Sequence, residues 1–145
     1  MKGQQLTEHF LLEEFTRSAT AAQHGICNEP SIGVITNLQN LCQEVLEPLR
    51  NYYGKAIHIN SGYRCRALNE LVHGVPHSQH LTGEAADLYL PSVDTGRDWQ
   101  RWIQQHCPHY DQVILERNRS GRWWLHVSAR RQQHMNRHQV FMVIR

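Results

Sequence analysis

The longest regular pattern of apolar positions along the chain begins at Ser31 and ends at Gly54. Apolar residues recur there every three or four positions, which predicts an amphipathic helix packed against a core. These residues are Ile32, Ile35, Leu38, Leu41, Cys42, Val45, Leu46 and Leu49. Pro30 and Ser31 are typical of a helix start, and Gly54 is typical of a stop. Pro48 lies inside the pattern and should kink the helix or end it near Leu46.

Shorter stretches in which apolar and polar residues alternate predict the strands of a sheet. They cover residues 56–60, 84–90, 110–116, 122–128 and 139–144. The turn-rich stretch 118–121 predicts an antiparallel hairpin between the third and fourth of these strands. A second helix, with Trp99 and Ile103 on its inner face, is expected after a turn at 91–96 and should end at Pro108. Helices packed on a small antiparallel sheet give an α+β fold.

Length and composition predict a single domain that spans residues 1–145 and has one core. A hydrophobic content of 40% with 19% charged residues is ordinary for a globular protein. The net charge of +2, from scattered basic residues, gives no reason to expect nucleic acid as a partner. No stretch approaches the roughly 20 apolar residues of a membrane span. We therefore expect no membrane span, and we also expect a monomer.

A further pattern concerns polar residues that could hold a metal. His80 is followed by Gly83 and Asp87, and a later Trp-rich strand contains His126. Imidazole nitrogen and carboxylate oxygen are zinc ligands, and a catalytic zinc takes three protein ligands and leaves a fourth position for water. The step from His80 to Asp87 fits a loop that turns into a strand, on which Asp87 faces away from the apolar side. Spacing alone leaves solvated or hydrogen-bonded side chains as the alternative.

The pattern Ser-x-His-x-x-Gly-x-Ala-x-Asp at 78–87, preceded by Ser-Gly-Tyr-Arg at 61–64 and followed by His-Val at 126–127, resembles the zinc D-Ala-D-Ala carboxypeptidase family of cell-wall peptidases. The resemblance extends from about Leu6 to Arg145. It implies the fold shared by these peptidases and hedgehog, and one zinc ion per chain. The zinc ligands that it implies are His80, Asp87 and His126.

The same resemblance implies that amide bonds in peptidoglycan stem peptides are the substrate. The enzyme would act as a D,D-carboxypeptidase or as an endopeptidase of the phage endolysin type. Arg64 occupies the arginine position that the family uses for a substrate carboxylate or a developing oxyanion, and its guanidinium can form bidentate pairs. Ser78 either contacts substrate or caps its turn.

One position departs from the family pattern. In the carboxypeptidases and dipeptidases, the catalytic carboxylate commonly sits three residues before the second histidine ligand, and that position is Trp123 in this chain. A hairpin with a five-residue loop at 117–121 would pair Glu116 with Arg122 and Gln112 with His126. Paired residues share a face and side chains alternate, so Glu116 would lie on the same face as His126.

We therefore predict Glu116 as the general base, with Glu84 and Asp111 as weaker substitutes. A register slip of one residue would turn Glu116 to the opposite face. The rival function is a catalytically inactive, zinc-containing wall-binding or structural module of a phage-like particle. Three matched ligands without a matched fourth favour the enzyme, because a structural zinc normally closes its fourth position with a protein ligand.

The first residues, from Met1 to Leu6, lack the apolar run of a signal peptide. This predicts a protein that is cytoplasmic as synthesised, with its four cysteines as reduced thiols. A cell-wall peptidase of this kind would reach its substrate after phage-type release.

Overall fold

A computed structural model describes residues 3–145 of the chain, so Met1 and Lys2 of the predicted domain lie outside the described residues. The strands are β1 (Gln5–Thr7), β2 (Phe10–Leu11), β3 (Ile59–Ser61), β4 (Ala85–Tyr89), β5 (Gln112–Arg117), β6 (Trp123–Ser128) and β7 (Gln139–Ile144). The α-helices are α1 (Glu13–Thr16), α2 (Ala19–Gln23), α3 (Ile32–Leu41), α4 (Glu47–Tyr53), α5 (Arg66–Leu71) and α6 (Val93–His106). Short 3₁₀ turns cover Gln79–Leu81 and Gln133–Met135, and a π-helical turn covers Cys42–Leu46.

The main sheet has five strands in the order β3-β4-β6-β5-β7. Neighbouring strands are antiparallel except for β7, which pairs parallel with β5 at the edge of the sheet. One face is covered by the helices and is apolar because side chains alternate along each strand. The buried residues of that face include Ala86, Leu88, Val113, Leu115, Leu125 and Val127. The predicted α+β fold with a small sheet is confirmed, and the other face of the sheet carries the polar residues discussed below.

The long predicted helix is present, and it continues past Pro48 instead of ending near Leu46. Proline lacks a backbone N–H and its ring excludes the carbonyl group four residues earlier from a normal helical position. The π-helical turn just before Pro48 widens the backbone there, and the N–H of Glu47 donates to the carbonyl of Cys42, five residues back. The helix then runs to Tyr53 and ends at Gly54, whose φ of 75° is left-handed.

The second helix begins earlier than the sequence suggested. Ser92 caps α6 by accepting a hydrogen bond from the backbone N–H of Thr95, so the predicted turn through Gly96 was wrong. Gly96 lies within the helix. The residue there has to be glycine because a Cβ atom would approach the side chains of Leu90 and Leu115 to 2.7 Å and 2.8 Å. A close approach of helix to sheet, and not a turn, therefore explains this glycine.

Within residues 3–145, no helix combines the length and the apolar character that crossing a membrane requires.

Candidate active site

Two strands and one short turn bring the predicted metal ligands together. Asp87 on β4 and His126 on β6 are direct cross-strand partners, so their side chains share a face. His80 arrives from the 3₁₀ turn at Gln79–Leu81, which precedes β4. Gly83 lies between this turn and β4 and has a φ of 78°, which favours glycine. A Cβ atom at this position would also lie 2.7 Å from the carbonyl oxygen of Val34.

The three side chains present their polar atoms to one another. Asp87 Oδ2 lies 3.3 Å from His80 Nε2, and Asp87 Oδ1 lies 3.0 Å from His126 Nδ1. One ligand atom from each of the three falls within 4.8 Å of the others. The Nδ1–H of His80 donates to the carbonyl oxygen of Gly62 at 2.6 Å, which orients the ring so that Nε2 faces Asp87 and the centre of the group. Two imidazoles and a carboxylate in this arrangement fit a zinc ion.

The carboxylate of this group is kept ionised. Burial raises the pKa of Asp87, but the charge on His80 and the hydrogen bonds from both histidines outweigh it and hold the pKa well below its usual range. A metal ligand must be deprotonated, so the carboxylate is already in the form that binds a cation.

The candidate ligands line a cleft of about 580 Å³, a size suited to a short peptide segment or a small molecule. The cleft also contains every other residue predicted for the site, namely Arg64, Ser78 and Glu116. The carboxylates among the described residues that line it are Asp87 and Glu116. Glu84, which bonds the Thr82 hydroxyl, and the fully buried Asp111 are therefore not the acids that face the cleft.

The predicted hairpin register was wrong by two residues, although the predicted face was right. Arg117 pairs with Trp123, Glu116 with Trp124 and Ile114 with His126. The loop has the expected five residues but lies one position later, at 118–122. Asn118 holds it there, because its backbone N–H donates to the Arg122 carbonyl and its Oδ1 accepts from the Arg122 N–H. A shift by two preserves the side-chain alternation, so Glu116 remains on the cleft face.

The Glu116 carboxylate lines the cleft, is buried and is held by an arginine. Its side chain is 8% exposed, and Oε1 accepts a hydrogen bond from Arg145 Nη2. Position 116 lies two residues along β5 from the partner of His126, so Glu116 and His126 are diagonal neighbours whose Cα atoms are separated by roughly 7–8 Å.

Arg64 is fixed in the cleft wall by three oxygen acceptors. Its Nε donates to Asn69 Oδ1 at 3.1 Å, and its terminal nitrogens donate to the hydroxyls of Ser61 and Ser78 at 3.4 Å. Burial lowers the pKa of Arg64, and the negative charges of Asp87 and Glu116 oppose that shift. The guanidinium nevertheless remains a cation at any physiological pH, because its ordinary pKa exceeds 12.

A comparison with protein-family models decides which family the chain belongs to. The model of the peptidase M15 family matches residues 8–128, which include the whole cluster of candidate ligands. The chain belongs to the peptidase M15 family. None of the curated proteins compared with the chain matches it significantly. Membership in the M15 family confirms the family resemblance inferred from the sequence and indicates a metallopeptidase.

In this M15 peptidase domain, Ser78 has a structural role. Its Oγ accepts a hydrogen bond from the backbone N–H of His80 at 3.1 Å and thereby caps the 3₁₀ turn that carries the candidate ligand. The same oxygen accepts from Arg64 Nη2. The capping alternative is thus confirmed, while substrate contact by Ser78 stays a prediction.

Asn69, for which no role was predicted, holds Arg64 of this M15 domain in place. Asn69 is 3% exposed, accepts from Arg64 Nε, and donates from Nδ2 to the carbonyl of Val75 at 2.9 Å. A Cβ atom on Gly74 would lie 2.0 Å from Asn69 Oδ1, so the loop over Asn69 needs glycine there. A polar residue beside Leu68, on the inner side of a short helix, was the signal that could have revealed it.

Asp111, predicted as a substitute base, instead holds neighbouring segments together through hydrogen bonds. It is fully buried and accepts from Arg137, Arg130 and Gln79. Burial raises the pKa of Asp111, but the hydrogen bonds and charge of Arg137, with a hydrogen bond from Gln79, lower it to about 2. A carboxylate engaged in this way has no free oxygen to accept a proton from water.

Proposed function

We propose that the protein is a zinc-dependent peptidase that hydrolyses amide bonds in peptidoglycan stem peptides. One observation carries the proposal: His80, Asp87 and His126 converge in a cleft that also holds the buried carboxylate of Glu116. The group of metal-ligating side chains found in residues 3–145 has three members, and a catalytic zinc is bound by three protein ligands with a fourth position open.

The imidazoles of His80 and His126 and the carboxylate of Asp87 would hold one zinc ion per chain. When bound in such a site, zinc lowers the pKa of water toward about 7 and polarises a carbonyl group. The Glu116 carboxylate accepts the proton of the attacking water and delivers it to the leaving amine, which is general base and then general acid catalysis. Arg64 donates hydrogen bonds to a substrate carboxylate or to the developing oxyanion.

Cell-wall peptides are the proposed substrate class for two reasons. The sequence motifs at 61–64 and 78–87 resemble those of the cell-wall carboxypeptidases. The cleft is also lined by four arginines, which suit the carboxylates of a stem peptide. They are Arg64, Arg130, Arg137 and Arg145. A catalytically inactive zinc module is the less favoured alternative, because Glu116 supplies the cleft with the acid that position 123 lacks.

The test is to incubate the zinc-loaded protein with purified sacculi and with soluble stem peptides, and to identify the products by mass. We expect peptides with newly freed amino and carboxyl ends, and no such products when a chelator is present or when Glu116 is replaced by glutamine. Loss of one terminal residue would identify a carboxypeptidase, and release of cross-linked fragments an endopeptidase. Zinc-dependent binding to sacculi without any product would establish the inactive module instead.

A further inference from the structure

One buried carboxylate holds two arginines at the edge of the cleft. Asp111, immediately before β5, is fully buried. Arg137 donates to it from its backbone N–H at 2.7 Å, from Nε at 3.0 Å and from Nη2 at 2.7 Å. Arg130 donates to it from Nε at 3.4 Å. Two positive charges thus share one negative charge, which leaves one positive charge uncompensated.

The segment that carries the two arginines is fixed by a second buried side chain. Asn136 is 8% exposed, and its Oδ1 accepts from the backbone N–H of Arg130 at 2.9 Å. Its Nδ2 donates to the carbonyls of His109 and Arg130 at 3.3 Å. Because the backbone at both arginines is held by hydrogen bonds to buried side chains, little conformational freedom remains to be lost when a ligand binds.

The two guanidinium groups keep donors available on the cleft side. Both arginines line the cleft, and their side chains are 32% and 43% exposed for Arg130 and Arg137. Within residues 3–145, the terminal nitrogens of Arg130 make no hydrogen bond to another side chain or carbonyl. Of the terminal nitrogens of Arg137, only Nη2 makes such a bond there. Planar guanidinium donors match the geometry of a carboxylate, and a partly buried pair binds one more strongly than an exposed pair.

The strand register locates this pair relative to the candidate metal centre. The pair Gln112 and Ser128, beside Asp111, lies two residues along the strands from the pair Ile114 and His126. Two residues of a strand span about 7 Å. Glu116 lies the same number of residues away in the opposite direction. The arginines and the proposed base therefore flank the centre on opposite sides.

We propose that Arg130 and Arg137 form an anion subsite that takes a carboxylate of an acidic peptide, about two residues of extended chain away from the scissile amide. The subsite rests on the proposed function, because it requires a peptide that lies across the metal centre. Arg64 binds the negative charge at the scissile group, and the Arg130–Arg137 pair binds a second carboxylate of the peptide. The cleft then selects peptides that carry two carboxylates over those that carry one.

The test measures binding of three synthetic stem peptides by calorimetry, in the presence of a chelator so that nothing is cleaved. One peptide has free carboxylates, one is amidated at its glutamate, and one is amidated at its diamino acid. We expect one of the two amidations to weaken binding to the wild-type protein about tenfold, a typical effect of losing a charge-assisted bidentate pair. The position of the sensitive amide identifies which carboxylate the subsite takes.

Arg130→Gln should reduce that tenfold difference to within about twofold. Arg130→Lys keeps the charge but lacks the fork, and it should lose most of the difference as well. The matched control is Arg131→Gln, which removes the same charge from the adjacent position. The Nε of Arg131 donates to Asn37 Oδ1, and Arg131 does not line the cleft. This control should keep the tenfold difference. Melting curves verify that each variant is folded.

Equal binding of all three peptides by the wild-type protein would overturn the subsite. So would an intact difference in both Arg130 variants, or an equal loss in Arg131→Gln, which would reflect net charge alone. Failure of the proposed function is distinguishable, because it would be seen as absent hydrolysis in the zinc-loaded protein whether or not the Arg130-dependent difference in binding is found.

Discussion

Glu116 and His126 lie on the same face of the sheet, on adjoining strands, with their pairing offset by two residues. Trp123, three residues before His126 on its own strand, lies on the opposite face and packs against the core. An acid at position 123 of this strand would therefore point away from the candidate metal centre. The acid that does reach the cleft comes from β5, which explains how this chain can lack a carboxylate at the family position.

Replacing Glu116 by glutamine should lower the rate of stem-peptide hydrolysis by roughly 10²–10⁴-fold, the usual contribution of a general base. The amide keeps the shape of the side chain and can still accept from Arg145, so fold and zinc content should be unchanged. Glu84→Gln is the matched control, since that carboxylate bonds the Thr82 hydroxyl and does not line the cleft. Hydrolysis by Glu116→Gln at the wild-type rate would place the base elsewhere.

The candidate ligands make a prediction about metal content. The purified protein should carry about one zinc ion per chain, and His80→Ala, Asp87→Ala and His126→Ala should each lose it, because two donors bind zinc weakly. Metal analysis after gel filtration provides the measurement. His77→Ala is the control, because this exposed histidine lines the cleft without belonging to the cluster. Full occupancy in Asp87→Ala would remove Asp87 from the ligand set.

Local patterns in the sequence were sufficient to predict on which face of its strand the Asp87 side chain lies. Ala86, Leu88 and Leu90 are all buried on one face of the strand, and a period of two then directs Asp87 to the other. The hairpin register was not predictable in the same way. It depends on the hydrogen bonds that Asn118 makes inside the loop, and a pattern of apolar residues does not distinguish registers that differ by two.

Contacts between distant segments account for what the sequence did not reveal about the site. Asp111 was interpreted as a substitute base because it is an acid near the hairpin, but its partner Arg137 lies 26 positions later. The parallel pairing of β7 with β5 likewise joins two strands that are separated in the chain by β6. No spacing rule connects such residues, because their proximity follows from the packing of the whole sheet.

Replacing Arg64 by lysine should lower hydrolysis by roughly 10²-fold, although the positive charge is kept. A lysine ammonium cannot satisfy Asn69, Ser61 and Ser78 while also donating to substrate, as the guanidinium fork does. Zinc content should be unchanged, and melting curves verify that the variant is folded. Arg66→Lys, an exposed position two residues later, is the control. Wild-type activity in Arg64→Lys would assign Arg64 to an ordinary polar contact.

Asn69 is expected to act as a positioning residue for Arg64. Asn69→Ala leaves Arg64 Nε and the Val75 carbonyl without their partner, which should cost about 1–3 kcal/mol in the free energy of unfolding. It should also lower kcat/KM, whereas adding Arg64→Lys to it should lower kcat/KM no further than Arg64→Lys alone. Steady-state kinetics of the single and double variants measure this coupling. Additive losses would mean that Asn69 only stabilises the fold.

Asp111 predicts how stability depends on pH. Its folded-state pKa of about 2 lies below the ordinary value of 3.8, because the hydrogen bonds and charge of Arg137 outweigh the effect of burial. A depressed carboxylate pKa means that the unfolded chain binds the proton more tightly. The stabilisation from this carboxylate is therefore fully present above about pH 4 and is lost as the pH falls to about 2.

Asp111→Asn should accordingly be less stable than the wild-type protein at pH 7, by roughly 3 kcal/mol, because Arg137 then lacks its buried counter-charge. This gap should narrow by about 1–2 kcal/mol between pH 4 and pH 2, as the wild-type carboxylate becomes protonated. Urea unfolding of both proteins across this range measures the difference directly. Asp94→Asn, at an exposed position of α6, controls at pH 7 for the loss of one negative charge. A gap that stayed constant down to pH 2 would show that the charge of Asp111 does not stabilise the fold.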